Sequence, residues 1–260
     1  MDTIEKLSVV RISTEGEKDT DDVIVREFSL TIFLNGYKVA TLLCSPDDLD
    51  YLAIGFLASE GLVRSKAEIK KMALDTKRGI VRVVTEEGRG LAQGIPFRGI
   101  LTSGCGQGLS SYQTVAGTGQ AKIESQTKVS ALEVFALMHE FAQHSQVFKA
   151  TGGVHSAALC HMKGILVFSE DIGRHNAIDK VFGECILRDI STNDHMIVTS
   201  GRISSEIVLK VAKRNIPILI SKSAPTSLGV RLADELGITL IGFVRGRRMN
   251  IYANRWRVAV

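Results

Sequence analysis

From residue 154 onward, short apolar segments alternate with segments of helical periodicity. After a hairpin at 156–162 and 165–169, the predicted helices and strands follow one another at 176–187, 196–199, 203–214, 218–221, 227–236 and 238–244. The last three strands are joined by two successive strand–helix–strand crossovers, which favour parallel pairing with helices packed on the sheet. The sequence therefore predicts an α/β fold for this half of the chain.

The N-terminal half has a different pattern, in which strands dominate. Strand-forming residues at 23–33 and 37–44 flank Asn35-Gly36, which predicts a hairpin with a two-residue turn. A short helix and a strand at 79–85 are expected later in this unit. The first twenty residues are predicted to be loosely ordered. Together these segments predict a small α+β domain.

One helix is expected inside that small domain. Ser45 as N-cap and Pro46 at the first helical position predict its start, and Glu60-Gly61 predicts its end. Its buried stripe is expected to consist of Leu49, Leu52, Phe56 and Leu57.

A long connection rich in glycine, serine and threonine spans residues 88–128. Beyond it, Ser130 and Glu133 form a capping box that predicts a helix. The apolar face of this helix is expected to be Leu132, Phe135, Met138, Phe141 and Ala142, with His139 and His144 on the surface. The predicted organisation is a small α+β domain at 1–100, a flexible linker at 101–128 and an α/β domain at 129–260.

Polar and basic segments follow four of the predicted strands. They are 170–175, 200–202, 221–226 and 244–248. Ligands of open α/β sheets bind at the carboxyl ends of the strands, and helix N-termini there attract anions. The sequence therefore predicts a site for an anionic, phosphorylated ligand at one edge of the sheet.

Several side chains near this edge allow two interpretations. Glu170, Asp171 and His175 are candidate acid–base residues. Alternatively, Asp171 caps the following helix and Glu170 pairs with Arg174. His155 either lines the pocket or has a structural role.

The C-terminal segment from residue 241 contains five arginines and no acidic residue. They are Arg245, Arg247, Arg248, Arg255 and Arg257. Such a cluster suits a phosphate or another anion. It is equally consistent with a solvated basic tail.

Cys105 lies between Gly104, Gly106 and Gly108. Small neighbours leave a sulfur atom uncovered, so this thiol is a candidate nucleophile or sulfur carrier, and nearby positive charge would favour its thiolate. The alternative is an inert loop cysteine. Cys44, Cys160 and Cys185 fall in strand or helix patterns and are interpreted as small core residues.

Composition excludes several classes of protein. A chain of 260 residues with 45% hydrophobic and 23% charged residues is an ordinary globular protein. No apolar run is long enough for a membrane span, and no secretory signal is expected. Four widely spaced cysteines fit a reducing cytoplasm better than a disulfide framework.

The net charge of +4 gives no reason to expect nucleic acid as a partner. A metal site is not expected, because Cys160 and His161 are adjacent and no CxxC occurs.

Five segments together resemble the formate dehydrogenase accessory sulfurtransferase family, FdhD. They are GFLASEG at 55–61, TGGVHSA at 151–157, EDIGRHNAIDK at 170–180, SGRISSE at 200–206 and SKSAPT at 221–226. The resemblance covers most of the chain from about residue 23.

The resemblance implies a function and a fold. It implies a sulfurtransferase that takes persulfide sulfur from a cysteine desulfurase. The sulfur passes to the bis-molybdopterin guanine dinucleotide molybdenum cofactor, which is then inserted into formate dehydrogenase. The implied C-terminal domain is three-layered and cytidine deaminase-like but lacks the zinc site, and the implied assembly is a homodimer.

The resemblance also assigns residues. Cys105 becomes the persulfide cysteine, and the cofactor-binding segment becomes Phe243, Val244, Arg245, Gly246, Arg247 and Arg248. The other strand-end loops are expected to add Arg202, Lys222, Ser223, Ala224, Thr226 and His175. Many members carry a second loop cysteine in a CxxC pattern where this chain has Gly108, so release through an internal disulfide cannot occur at this loop.

Three hypotheses follow from the sequence. The first is a cytoplasmic sulfur carrier that uses Cys105. The second is a non-catalytic chaperone that binds the molybdenum cofactor or a guanine nucleotide, which would explain the missing second cysteine. The third is a zinc hydrolase of the deaminase class, against which the missing ligand motifs argue.

Overall fold

The structure is a computed structural model that describes residues 2–86, the backbone of residues 101–102, and residues 121–259. Two large sheets organise these residues, one of five strands and one of six. Within the described residues no helix is long and apolar enough to cross a membrane.

The chain begins with a two-stranded ribbon of β1 (Ile4–Ser13) and β2 (Gly16–Val25). The expectation of loose order here is wrong. The strands pair antiparallel along their whole length, from Ile4 opposite Val25 to Ser13 opposite Gly16. No residue of either strand is buried. Backbone pairing rather than side-chain burial defines the ribbon, and for that reason a search for buried stripes does not find it.

The five-stranded sheet has the order β5-β6-β3-β4-β7. Its strands are β3 (Phe28–Leu34), β4 (Tyr37–Cys44), β5 (Ile69–Asp75), β6 (Ile80–Thr85) and β7 (Leu101–Thr102). The predicted hairpin of β3 and β4 is confirmed, with Asn35 at φ 50° and Gly36 at φ 85° in its turn. The expected short helix is a 3-10 turn at Lys66–Glu68, and β5 is a strand that the sequence did not reveal.

Helix α1 (Leu49–Ser59) starts later than predicted. Its N-cap is Asp48, at φ 50° and without a side-chain cap. Ser45 lies outside the helix, and its hydroxyl accepts the N–H of Ile172 at 3.2 Å. The expected buried stripe and the end at Glu60-Gly61 are confirmed.

Helix α2 (Ala131–His144) follows the short strand β8 (Val129–Ser130), and α3 (Gln146–Thr151) comes next. The capping box of Ser130 and Glu133 is confirmed. The predicted apolar face is confirmed in part, because Phe141 is buried and Phe135 and Met138 pack against the core. Leu132 and Ala142 are exposed instead, and Val134 and Leu137 are buried. His139 and His144 lie on the surface, as expected.

The six-stranded sheet has the order β10-β9-β11-β12-β13-β14. Its strands are β9 (His155–His161), β10 (Gly164–Asp171), β11 (Met196–Thr199), β12 (Ile218–Ser221), β13 (Thr239–Arg245) and β14 (Arg248–Ala253). As predicted, β11, β12 and β13 are parallel. A last short strand, β15 (Val258–Ala259), pairs with β8.

Helices cover both faces of this sheet. Helices α4 (Arg174–Leu187), α5 (Ser205–Lys213) and α6 (Ser227–Glu235) pack on one face, against side chains such as Leu159 and Ile197. Helix α2 packs on the other face, against Cys160 and Val198. The α/β class is therefore confirmed, with three layers.

Helix α4 also contacts the N-terminal half of the chain, through α1. A Cβ atom at Gly55 would lie 1.7 Å from the carbonyl oxygen of Asp179, and one at Gly183 would lie 1.8 Å from that of Tyr51. Only glycine permits so close an approach of two helix backbones. Ile186, near the end of α4, belongs to the core of the five-stranded sheet. The helix is thus shared between the two sheets.

Candidate functional site

The predicted gathering of strand ends at one edge of the sheet is confirmed. Strand β9 is antiparallel to both β10 and β11, so β10 ends on the same side as the parallel strands β11, β12 and β13. Strand β9 begins at this edge, where His155 lies opposite Asp171. We call this side of the sheet the strand-end edge.

Backbone hydrogen bonds join the loops of the strand-end edge. The N–H of Lys222 donates to the carbonyl of Thr199 at 3.1 Å, and the N–H of Phe243 donates to the carbonyl of Ser223 at 3.1 Å. Ile203 accepts from the N–H of Thr226 at 2.9 Å. Because the three loops bind one another, their side chains project from a fixed scaffold.

Close packing also links the edge to α4. A Cβ atom at Gly201 would lie 2.8 Å from Cβ of Arg174, so this position in the Ser200-Gly201-Arg202 loop has no room for a side chain. The first turns of α4 and α5 therefore lie close together.

Exposed cations line the strand-end edge. They are Arg202, Lys222, Arg245, Arg247 and Arg248. Two of them lie over aromatic rings: the ammonium of Lys222 is 5.9 Å from the ring centre of Phe148, and the guanidinium of Arg245 is 5.4 Å from that of Phe243. Exposed positive charge with backbone N–H groups nearby suits an anionic ligand.

Phe243 and Gly246 have backbone dihedrals in the left-handed region. Phe243 has φ 53°, in a β-bulge where β13 meets β14, and Gly246 has φ 59° in the turn between these strands. Such dihedrals are costly for a bulky side chain, and they mark a segment whose shape is imposed by its surroundings.

The structure changes the role of two predicted cofactor residues. The side chain of Val244 is buried in the core beneath the sheet, so only its backbone can face a ligand. The hydroxyl of Thr226 accepts the N–H of Gly229 at 3.1 Å and so caps α6. Ser223 and Ala224 are half-buried in the loop between β12 and α6.

His175, on the first turn of α4, is buried beside Glu206 on the first turn of α5. Nε2 of His175 lies 3.2 Å from Oε2 of Glu206. That spacing is within ion-pair range, but neither ring nitrogen has a hydrogen-bond partner of good geometry among the described residues. The contact with His175 lowers the pKa of the Glu206 carboxyl. The structure therefore brings the predicted site residue His175 next to a carboxylate that the sequence analysis did not single out.

His155 lies at the same edge. Its Nδ1 is 3.4 Å from the hydroxyl of Ser200, which itself accepts the N–H of Ser156 at 2.9 Å. Burial lowers the pKa of His155, and the positive charges of Arg174 and His175 lower it further. His155 is therefore a neutral, half-buried part of the edge.

Asp171 and Glu170 are structural. Asp171 is not the N-cap of α4, which is Gly173. Its carboxylate instead receives four donors, from the backbone N–H groups of Ser45 and Gly173 and the side chains of Asn176 and Lys180. These donors support the ionised form, although burial acts to raise the pKa of Asp171.

Glu170 does not bind Arg174 as the alternative interpretation expected. Its carboxylate accepts the N–H groups of Val147 at 2.9 Å and Phe148 at 3.0 Å, in the first turn of α3. It thereby satisfies backbone donors that the helix start leaves unpaired.

Lys180 was not singled out from the sequence, although it holds the two halves together. The fully buried ammonium lies 3.0 Å from carboxylate oxygens of both Asp171 and Asp47 and 3.2 Å from the carbonyl of Glu170. Burial opposes its charge, but the two carboxylates outweigh burial and raise the pKa of Lys180. The signal in the sequence is the charged pair Asp179-Lys180 flanked by the apolar pairs Ala177-Ile178 and Val181-Phe182.

The basic C-terminal segment divides into two parts. Arg245, Arg247, Arg248 and Arg255 are exposed, as either interpretation required. Arg257 is fully buried and donates to the carbonyls of Ile123, Ser125 and Gly237. It is a structural residue, so the expected five-arginine cluster loses this member.

The predicted sulfur-carrying residue, Cys105, lies outside the described residues. Cys44, Cys160 and Cys185 are buried, as predicted. Burial raises the pKa of Cys160 and of Cys185 to about 12, so neither thiol is nucleophilic at neutral pH. The described part of the chain holds no group of three His, Cys, Asp or Glu residues that could bind a metal ion.

Comparison with known proteins relates the chain to one family. The family model described as the FdhD/NarQ family matches residues 25–259. "Sulfur carrier protein FdhD" of Bacillus subtilis is 45% identical over 92% of this chain and 91% of its own length. The protein of the same name from Bacillus pumilus is 42% identical over 98% of each chain.

One solved structure supports the same relationship. It is a crystal structure of a protein from Desulfotalea psychrophila assigned as a formate dehydrogenase accessory protein. It superposes with a TM-score of 0.83 at 25% identity, covering 99% of this chain and 100% of the other.

Proposed function

Because the chain belongs to the FdhD/NarQ family, we propose that it is a sulfur carrier in the maturation of formate dehydrogenase, with Cys105 as the residue that holds the sulfur. The observation that carries the proposal is the match to sulfur carrier proteins over nearly the whole chain. The other three cysteines support it indirectly, because all are buried in strands or helices.

The chemistry of the first step is an exchange at sulfur. The thiolate of Cys105 attacks the terminal sulfur of a cysteine persulfide on the donor, a cysteine desulfurase. The bond between the donor's two sulfur atoms breaks, and the donor cysteine leaves as a thiolate. Cys105 then carries the persulfide, and no oxidant or reductant is consumed.

The acceptor is the bis-molybdopterin guanine dinucleotide molybdenum cofactor, bound as cargo at the strand-end edge. Its phosphates suit the exposed cations Arg202, Lys222, Arg245, Arg247 and Arg248. Ser223, Ala224, Phe243 and Gly246 supply loop backbone beside them. His175 and Glu206 lie at the β10–β11 end of the same edge, where they can contribute polar contacts to the cargo.

Further properties belong to the same proposal. The three-layered half has a cytidine deaminase-like fold, and the domains are 1–100, 101–128 and 129–260. The protein acts in the cytoplasm as a homodimer and delivers the cofactor to formate dehydrogenase.

Mass spectrometry after incubation with a cysteine desulfurase and cysteine tests the carrier role. We expect the wild-type chain to gain one sulfur atom, on Cys105, and the C105A variant to gain none. Cys185→Ala is the matched control and should load like the wild type, because that thiol is buried. Folded wild-type protein that gains no sulfur would contradict the proposal. Full support of formate dehydrogenase by C105A in cells would favour the cofactor-binding chaperone.

A further inference from the structure

The β1–β2 ribbon contacts the rest of the described chain near its base, where Val25 packs against Gly153. Among the described residues its strands pair with no other strand, so both outer edges carry unpaired backbone groups. An isolated two-stranded hairpin is at best marginally stable in water. A ribbon of two ten-residue strands with no buried residue therefore needs support from outside itself.

Large apolar side chains of the ribbon are exposed to solvent. Ile4, Val10 and Ile12 lie on one face of the ribbon, where Ile12 is 77% exposed, and Leu7 and Ile24 lie on the other. Clusters of exposed apolar side chains on a soluble protein mark interaction sites. The ribbon thus has the composition of a contact surface.

The ribbon and the rest of the chain carry opposite charge. Residues 2–27 contain eight acidic and four basic side chains, a net charge of −4. Since the whole chain has a net charge of +4, residues 28–260 carry +8. Opposite potentials attract two surfaces and orient their encounter. The body of this same protein is therefore a complementary partner for its own ribbon.

The size of the ribbon also fits a dimer. Ten residues per strand give a length of about 33 Å, and two strands give a width of about 10 Å. In a twofold dimer two such ribbons, each covering an equal area of the other copy, would bury about 1,300 Å² in total. That area is within the range of about 1,200–2,000 Å² typical of stable protein–protein interfaces.

We infer that the β1–β2 ribbon is a dimerisation arm that lies on the body of a second copy of this chain. The arm binds through its exposed apolar side chains and through the attraction of its acidic residues to the basic body. Two copies exchange arms reciprocally, which is the closed arrangement that twofold symmetry requires. Most of the ribbon precedes residue 25, where the match to the family model begins. The inference gives a surface to the proposed homodimer and does not depend on sulfur transfer.

Sedimentation velocity of the full chain over a range of concentrations and salt tests this inference. We expect a wild-type dimer that weakens as salt rises. In V10T/I12T, threonine keeps the branched shape that strands favour but removes apolar surface. We expect the dissociation constant of this dimer to rise at least 10-fold. In D19N/D21N the dimer should weaken and lose most of its salt dependence.

L132T is the matched control, because Leu132 is an exposed apolar residue on α2 outside the ribbon. It should dimerise like the wild type. Thermal unfolding should show that V10T/I12T keeps a folded body, since neither residue is buried. A monomeric wild type at high concentration, or a V10T/I12T dimer of unchanged affinity, would overturn the inference. Sulfur loading of Cys105 is measured separately, so failure of the arm and failure of the carrier role give different results.

Discussion

Two regions of the protein differ in how far their contacts are buried. One is the crossing of α1 with α4, and the other is the β1–β2 ribbon. At the crossing, backbones touch through Gly55 and Gly183, and buried charges such as Lys180 have several partners each. In the ribbon no residue is buried and apolar side chains face solvent. The first contact is complete within one chain. The second has the features of a contact completed by another chain.

Replacing Lys180 with methionine is expected to have the largest effect on the crossing. It leaves Asp171 buried without its counter-charge, which should cost about 3–5 kcal/mol of unfolding free energy. Urea denaturation measures the loss. Asp47→Asn should cost clearly less, because Asp47 is partly exposed while Asp171 is fully buried. Equal losses in both variants would show that the unpaired charge of Asp171 does not set the cost of the Lys180 substitution.

Gly55→Ala tests the backbone contact of the same crossing. The new methyl group would overlap the carbonyl of Asp179, so the helices must separate. We expect a loss of about 1–3 kcal/mol in urea denaturation. Unchanged stability would mean that the crossing is looser than its geometry indicates.

The smallest expected effect is a pH dependence at the strand-end edge. Burial lowers the pKa of His155 in the folded chain below its ordinary value of 6.5, so the unfolded chain binds the proton more readily. Stability is therefore present above pH 6.5 and declines as the pH falls through the range between the two values. The thermal midpoint of H155N should fall less than that of the wild type between pH 7 and pH 5. Parallel curves would show that His155 does not titrate on unfolding.

Local signals in the sequence predicted much of the fold. Strands at 196–199 and 218–221 were found with correct bounds, because each is a short apolar run that is buried on both faces. The capping box at Ser130 fixed the start of α2. The strand-end edge followed from the parallel pairing that the crossovers imply, which is a general rule rather than a property of one residue.

Several of the errors share one physical cause, which is contact between residues far apart in the chain. Lys180 binds Asp47 across 133 residues, and no local pattern announces such a pair. Ser45 has the composition of a helix cap, but its hydroxyl binds Ile172, which lies 127 residues away. The phase of α2 depends on which face meets the sheet, and Leu132 fits an apolar periodicity yet points to solvent.

The buried guanidinium of Arg257 has a consequence for the order in which the protein is made. Its partners include the carbonyl of Ser125, which precedes it by 132 residues. At a synthesis rate of about 5–20 residues per second, the ribosome needs roughly 7–26 s to add that length. Until then the segment at 121–128 lacks its anchor, and β8 lacks its partner β15. During that interval the first half of the emerging chain can fold while the segment at 121–128 and β8 remain unpaired. A chaperone that binds exposed strands can act during the same interval.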